Sequence, residues 1–331
     1  MLPSARIGGN RVPRHANPHA APHALTMMPS MSDQVTAAAA SEISAAPPAP
    51  RGIRRVLRRP LARVAIVLLV IYGVWCAGML GLETNLLFPR QFAGEPHRAV
   101  PPGAEQVWIR AVDDGSRVEA LYFQAPGAAA APAPVVIYAH GNGELIGQQM
   151  HIVEMYRSMG MNVLLAEYRG YGNCEGTPSQ RAIVSDFEQF HSWLLRRPEI
   201  DPDRFIYHGR SLGGGVAAQL AASRRPAALI LETTFTSITS FAWRYGVPPF
   251  LVRSPFRTDR VLPTLRGMPI LIMHGRRDTI VPVSHGRRLR DPAPWADYYE
   301  TDDDHNDFPT DARAYRETIR AFLVKHGFVG E

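Results

Sequence analysis

Cysteine is nearly missing from this chain. Its 331 residues hold two, Cys76 in an apolar run and Cys174 in a polar loop, so no internal disulfide framework is expected. No Cys-x-x-Cys occurs, and the histidines are read as scattered with no His-x-x-x-His, so neither a metal nor a cofactor is expected. Cys174 also lacks the strand-to-helix turn that would present a nucleophile. A basic face is missing too. The chain carries 36 basic against 30 acidic residues, yet residues 1–63 alone hold nine arginines against Asp33 and Glu42. The rest has 27 basic and 28 acidic residues and is close to neutral. Nothing there calls for a nucleic-acid partner. What is plentiful is apolar residues, 46%, enough to pack one large domain with an appendage.

Residues 1–50 are rich in Ala, Pro, Ser, His and Met without apolar periodicity, and are expected to be disordered. A dense basic flank follows over 51–63. Residues 64–82 are then uncharged and almost wholly apolar, about the length that crosses a bilayer as a helix. No polar stripe marks this run as a core helix, and no Ala-x-Ala site follows it as after a signal peptide. The reading is a single-pass anchor. Its arginines place the N-terminus in the cytoplasm and the domain over 84–331 outside it, in the periplasm of a Gram-negative cell.

Beyond the anchor, Val107–Val112 and Val118–Phe123 read as a hairpin around Asp113-Asp114-Gly115. Apolar runs return at 134–139, 163–166, 205–207, 228–231 and 270–273. Helical stretches near 145–159, 179–196, 212–223, 283–290 and 309–326 alternate with them. That alternation predicts an α/β fold, a mostly parallel sheet of about eight strands with helices on both faces. Residues 236–266 mix aromatics, prolines and arginines and fit a small lid.

Gly209-Arg210-Ser211-Leu212-Gly213 follows the run Arg204–His208 and opens a small-residue helix. This is a strand, a turn too tight for side chains at Gly209 and Gly213, and a helix, with the Ser211 hydroxyl lifted clear of the sheet. A serine needs a base, and the base needs a carboxylate to hold its tautomer. Asp278 lies in the loop after one strand, and His305 in a loop before the last helix. Both are where such partners belong. His140-Gly141-Asn142-Gly143 follows another strand, so the backbone N–H groups of Asn142 and Leu212 are the expected oxyanion donors. Among rivals, His285 is read as a surface residue. His208 and His274 are read as packing or bonding the backbone, and Asp297 as structural. Asp302, Asp303, Asp304 and Asp307 also fit a solvated acidic loop.

Taken together, Tyr138–Gly143, Glu167–Ser179 with its Tyr-Arg-Gly-Tyr-Gly, Gly209–Gly214, Leu231–Ser237, Ile272–Gly275 with Asp278 and Val281-Pro282, and His305-Asn306-Asp307 resemble the α/β-hydrolase family. Within it they are similar to membrane-anchored α/β-hydrolase-domain proteins near the serine-aminopeptidase-like group. The resemblance runs from about Leu86 to Phe328. It implies Ser211 as nucleophile, Asp278 as orienting acid and His305 as general base. The family commonly has glycines before its histidine, where this chain has Asp302-Asp303-Asp304.

The expected activity is cleavage of an ester, thioester or related acyl bond in a small-molecule or lipid-like substrate. Two alternatives stand beside it, an aminopeptidase-like peptidase of the same fold and a membrane-tethered non-catalytic binding protein. Phe241, Trp243, Tyr245, Phe250 and Phe256 in the lid favour lipid-like substrates, unless they only pack the lid on the core.

Overall fold

The computed structural model describes residues 51–128 and 131–330; the disorder expected over 1–50 lies outside them. The first helix, α1 (Arg51–Leu87), is longer than the apolar run and takes in the basic flank. It contains an 18-residue stretch of mean hydropathy 2.3, long and apolar enough to cross a membrane.

The elements after it alternate as the apolar runs predict. In chain order they are β1 (Glu105–Arg110), β2 (Arg117–Phe123), β3 (Ala133–Ala139), α2 (Met150–Ser158), β4 (Asn162–Ala166), α3 (Gln180–Leu194), β5 (Ile200–Arg210), α4 (Leu212–Ser223) and β6 (Ala228–Glu232). A helical insert follows, holding the four-residue α5 (Thr258–Val261) and 3-10 segments from Ile238 to Leu265. The chain ends with β7 (Ile270–Gly275), α6 (Ser284–Arg290), β8 (Asp297–Thr301) and α7 (Ala312–Lys325). The eight strands form one sheet in the order β1-β2-β4-β3-β5-β6-β7-β8. β2 pairs antiparallel with β1 and β4, and every other pair is parallel.

Alternate side chains of the central strands feed two separate cores, which is why these runs are apolar at consecutive positions. Val135 and Ile137 of β3 face α3 and α4, where Phe187 and Val216 close one layer. Val136 and Tyr138 face α2 and α7, where Val153 and Ile319 close the other. The parallel strands therefore deliver β3, β5, β6 and β7 to one edge of the sheet with their C-terminal ends together. The candidate residues follow those ends.

Candidate active site

Ser211 separates β5 from α4 with φ 50° and ψ −113°, a conformation that side-chain-bearing residues avoid. Its neighbours make that turn obligatory. A Cβ on Gly209 would run into the backbone of Gly213, and one on Gly213 into the carbonyl of Ala139 at the end of β3. The turn is fastened by Ser211 N–H donating to the Glu232 carbonyl at 2.8 Å and Thr234 Oγ1 to the Ser211 carbonyl at 2.7 Å. Leu212 is the first residue of α4, so its N–H has no partner within the helix.

Residues distant in sequence meet here. The Ser211 hydroxyl lies 3.0 Å from His305 Nε2, and His305 Nδ1 lies 2.7 Å from Asp278 Oδ2. All three side chains are buried. Asp278 Oδ1 also accepts the N–H groups of Ile280 and Val281, at 3.0 and 2.6 Å. His274 Nε2 approaches Asp278 Oδ2 to 3.4 Å and the Val281 carbonyl to 2.7 Å. Burial would raise the Asp278 pKa, but the hydrogen bonds from His274, His305 and Val281 outweigh it and hold it at about 2. It is a carboxylate at any ordinary pH.

The acidic loop is built into the site. Asp304 Oδ1 accepts the N–H groups of Thr279 and His305, both at 2.8 Å, tying the Asp278 loop to the His305 loop. Those bonds hold the Asp304 pKa below the carboxylate norm. Asp303 is buried and accepts the Thr310 hydroxyl, while its carbonyl accepts Arg277 N–H at 3.1 Å. Asp302 alone of the three is well exposed. Carboxylates thus do by hydrogen bonding what glycines do by conformational freedom.

The turn after β3 is held from several sides. Glu144 Oε2 accepts Gly141 N–H at 2.9 Å, Tyr168 Oη donates to the His140 carbonyl at 2.6 Å, and Tyr171 Oη donates to Asn142 Oδ1 at 2.9 Å. Asn142 Nδ2 donates to the Leu87 carbonyl at the end of α1, at 2.9 Å. The Tyr-Arg-Gly-Tyr-Gly segment thus supports this turn, with Arg169 buried and ion-paired to Asp186 at 2.7 Å. Asn142, Arg210, Ser211, Leu212 and His305 line one cavity of about 470 Å³ beneath the insert.

Two sequence readings need correction. His285 is buried, stacks on Phe241 with centroids 5.0 Å apart, and accepts Thr236 N–H at 3.2 Å. Burial, with Arg288 nearby, lowers its pKa to about 4, so it stays neutral and able to accept. His208 is buried and packs against Tyr138, with ring centroids 5.0 Å apart, and its ring nitrogens also meet Tyr156 Oη at 3.0 Å and Glu232 at 3.2 Å. His15, His19 and His23 do recur every four residues, though outside the described residues. Asp297 opens the edge strand β8 and pairs with Lys325 at 2.6 Å. Cys174 is half-buried, and its partial removal from water raises its pKa and keeps the thiol protonated.

The serine aminopeptidase S33 family profile matches residues 130–268. The uncharacterized protein Rv2307c of Mycobacterium tuberculosis is 31% identical over 279 residues, covering 82% of this chain and 98% of that protein. The chain belongs to the α/β-hydrolase superfamily. A lysophosphatidylserine lipase of Danio rerio is 36% identical to this hydrolase over 186 residues, 48% of this chain and 47% of that one. The esterase Pf2001 of Pyrococcus furiosus shares the fold, with TM-score 0.56 and 17% identity over 70% of this hydrolase and 97% of that chain.

Proposed function

We propose that this hydrolase is a membrane-anchored serine esterase acting on an ester, thioester or related acyl bond. The observation that carries this reading is the unbroken chain of hydrogen bonds from Ser211 Oγ through His305 to Asp278. His305 Nε2 takes the hydroxyl proton as Ser211 Oγ bonds to the acyl carbon. The Asn142 and Leu212 N–H groups hold the oxyanion, with the N-terminal end of α4 adding its field. The bond to the leaving oxygen or sulfur breaks, and His305 returns its proton to that atom. Water then attacks the acyl-enzyme with His305 as base, releasing a carboxylic acid and restoring Ser211. Asp278 keeps the imidazole in the tautomer this needs.

An aminopeptidase would have to hold a substrate ammonium. The one carboxylate lining the cavity is Glu144, which is committed to Arg210 and to Gly141 N–H, and Arg244 lines the same space. This favours an acyl substrate over a peptide N-terminus. The relative named as a lysophosphatidylserine lipase favours it as well. In this reading the insert between β6 and β7 serves as the lid. The apolar half of α1 is the anchor, with the arginine-rich flank in the cytoplasm and the domain outside.

The test is fluorophosphonate labelling with turnover of p-nitrophenyl butyrate. Wild type should label and turn over, and Ser211→Ala should do neither while keeping its fold. Labelling that persists in Ser211→Ala, or a wild type inert to both reagents, overturns the reading.

A further inference from the structure

A second, apolar groove of about 210 Å³ lies between the last turns of α1 and the insert. Met79, Leu80 and Leu86 form its helix wall together with Glu83, the one charged residue lining it; Ala242, Val247 and Val252 form the opposite one. Leu87, Ile238, Phe241 and Tyr245 line both this groove and the Ser211 cavity, so the two spaces adjoin across these four side chains.

The helix wall is fixed in place. Tyr72 Oη donates to the Gly246 carbonyl at 3.0 Å and Trp75 Nε1 to the Tyr245 carbonyl at 2.9 Å. Arg253 Nη2 donates to the Leu80 carbonyl at 2.7 Å, and Glu83 Oε1 accepts the N–H groups of Arg253 and Ser254, each at 2.9 Å.

These bonds also set a depth. The apolar run 64–82 rises about 28 Å as a helix, close to the roughly 30 Å of bilayer hydrocarbon. Tyr72 and Trp75 lie ten and seven residues before its end at Leu82, or about 15 and 10 Å along the axis. The insert is therefore bonded to the helix from the middle of this run toward its C-terminal end, the end on the domain's side of the bilayer. Its side chains suit that position: Phe250 is 83% exposed, Trp243 65% and Tyr245 54%. Three exposed aromatics beside an apolar helix are a liability in water and an asset at a bilayer surface.

We propose that this groove is the acyl-chain subsite of the enzyme and opens sideways into the bilayer. A membrane lipid slides its fatty acyl chain between α1 and the insert while its ester carbonyl reaches Ser211. The inference rests on the esterase reading above and adds the substrate class, a long-chain acyl ester drawn from the membrane. It also makes the anchor helix part of the binding site.

The test uses the full chain in phosphatidylcholine vesicles. Leu80→Trp and Val252→Trp fill the groove from opposite walls. Each should lower the ratio of kcat/KM for the p-nitrophenyl dodecanoyl ester to that for the butyryl ester at least tenfold. Fluorophosphonate labelling of the same samples reads Ser211 without a long chain. Labelled variants with an unmoved ratio overturn the subsite and leave the esterase standing, whereas an unlabelled wild type overturns the esterase itself. A measurement needing no groove variant decides the depth. Fluorescence lost on going from wild type to Trp243→Phe should be strongly quenched by lipids brominated on their acyl chains. If Trp243 is quenched only by an aqueous quencher, the groove opens to water and lateral entry is wrong.

Discussion

Arg210 Nη2 donates to the backbone carbonyl of His305 at 2.8 Å, across 95 residues of chain. The same guanidinium pairs with Glu144, which holds the turn after β3, and with Glu232 at 3.1 Å, whose carbonyl anchors Ser211 N–H. Burial alone would raise the Glu232 pKa, but hydrogen bonds from His208 and Tyr315 and the Arg210 charge keep it below the ordinary value. The variable position of the Gly-x-Ser-x-Gly turn thus joins three loops of the site.

Removing that cation strands two carboxylates in a poorly hydrated place. Arg210→Met should cost about 3 kcal/mol of stability, the scale of a broken buried ion pair. The His305 carbonyl loses its restraint as well, so kcat should fall at least about tenfold, the scale of a misplaced catalytic group. The stability deficit should shrink as pH falls from 8 to 5, because protonation discharges the stranded carboxylates. Unfolding of both proteins across that range checks it; a deficit that does not vary with pH would mean the carboxylates find other partners.

Asp278→Asn keeps the shape of the site and removes the charge that fixes the His305 tautomer. A loss of about 10⁴ in kcat is expected. Stability carries a second signature. The folded Asp278 pKa of about 2 lies below its ordinary value of 3.8, so the unfolded chain binds the proton more readily between those limits. Ionised Asp278 therefore adds about 2 kcal/mol above pH 4, and this is lost as pH falls toward 2. The gap in unfolding free energy between wild type and Asp278→Asn should close over that window.

Asn142→Ala separates two roles of one residue. Its side chain bridges Tyr171 and the Leu87 carbonyl, whereas the proposed oxyanion donor is its backbone N–H. The variant keeps the N–H and loses the bridge, so kcat should fall about tenfold, well short of the 10²–10³ for a deleted donor. A loss of 10² or more would assign the oxyanion contact to the side-chain amide instead.

The sheet and the meeting of Ser211, Asp278 and His305 were legible because each rests on a local signal. Consecutive apolar residues mark strands covered on both faces, and tight glycine spacing marks the turn. Arg210 and Glu144 were not legible as a pair, since a charged residue in a turn reads as solvated until the fold brings its partner near. His285 misled for a similar reason. Its helix carries Arg287 and Arg288, so its neighbours in sequence look solvated, but Phe241 and Thr236 arrive from the insert to cover it. The acidic run before His305 was ambiguous because sequence does not tell which carboxylates meet backbone N–H groups.

The glycines around Ser211 differ in what a methyl group would meet, and that difference ranks their variants. At Gly213 a Cβ would strike the backbone carbonyls of Ala139 and His140, which β3 holds in register with β4 and β5. Neither can withdraw without shifting the turn or the strand end, so Gly213→Ala should cost at least about 3 kcal/mol, the upper end for overpacking, and abolish labelling of Ser211. At Gly215 the nearest atoms are side-chain carbons, Phe235 Cζ at 3.0 Å and Phe256 Cβ at 3.1 Å. The Phe235 ring can tilt, and alanine lowers the entropy that glycine loses on entering a helix. Gly215→Ala should therefore be tolerated to within about 1 kcal/mol and remain labelled. Unfolding and fluorophosphonate labelling of the two proteins side by side check the ranking. Equal losses would show that α4 as a whole, rather than the contact with β3, holds the Ser211 turn.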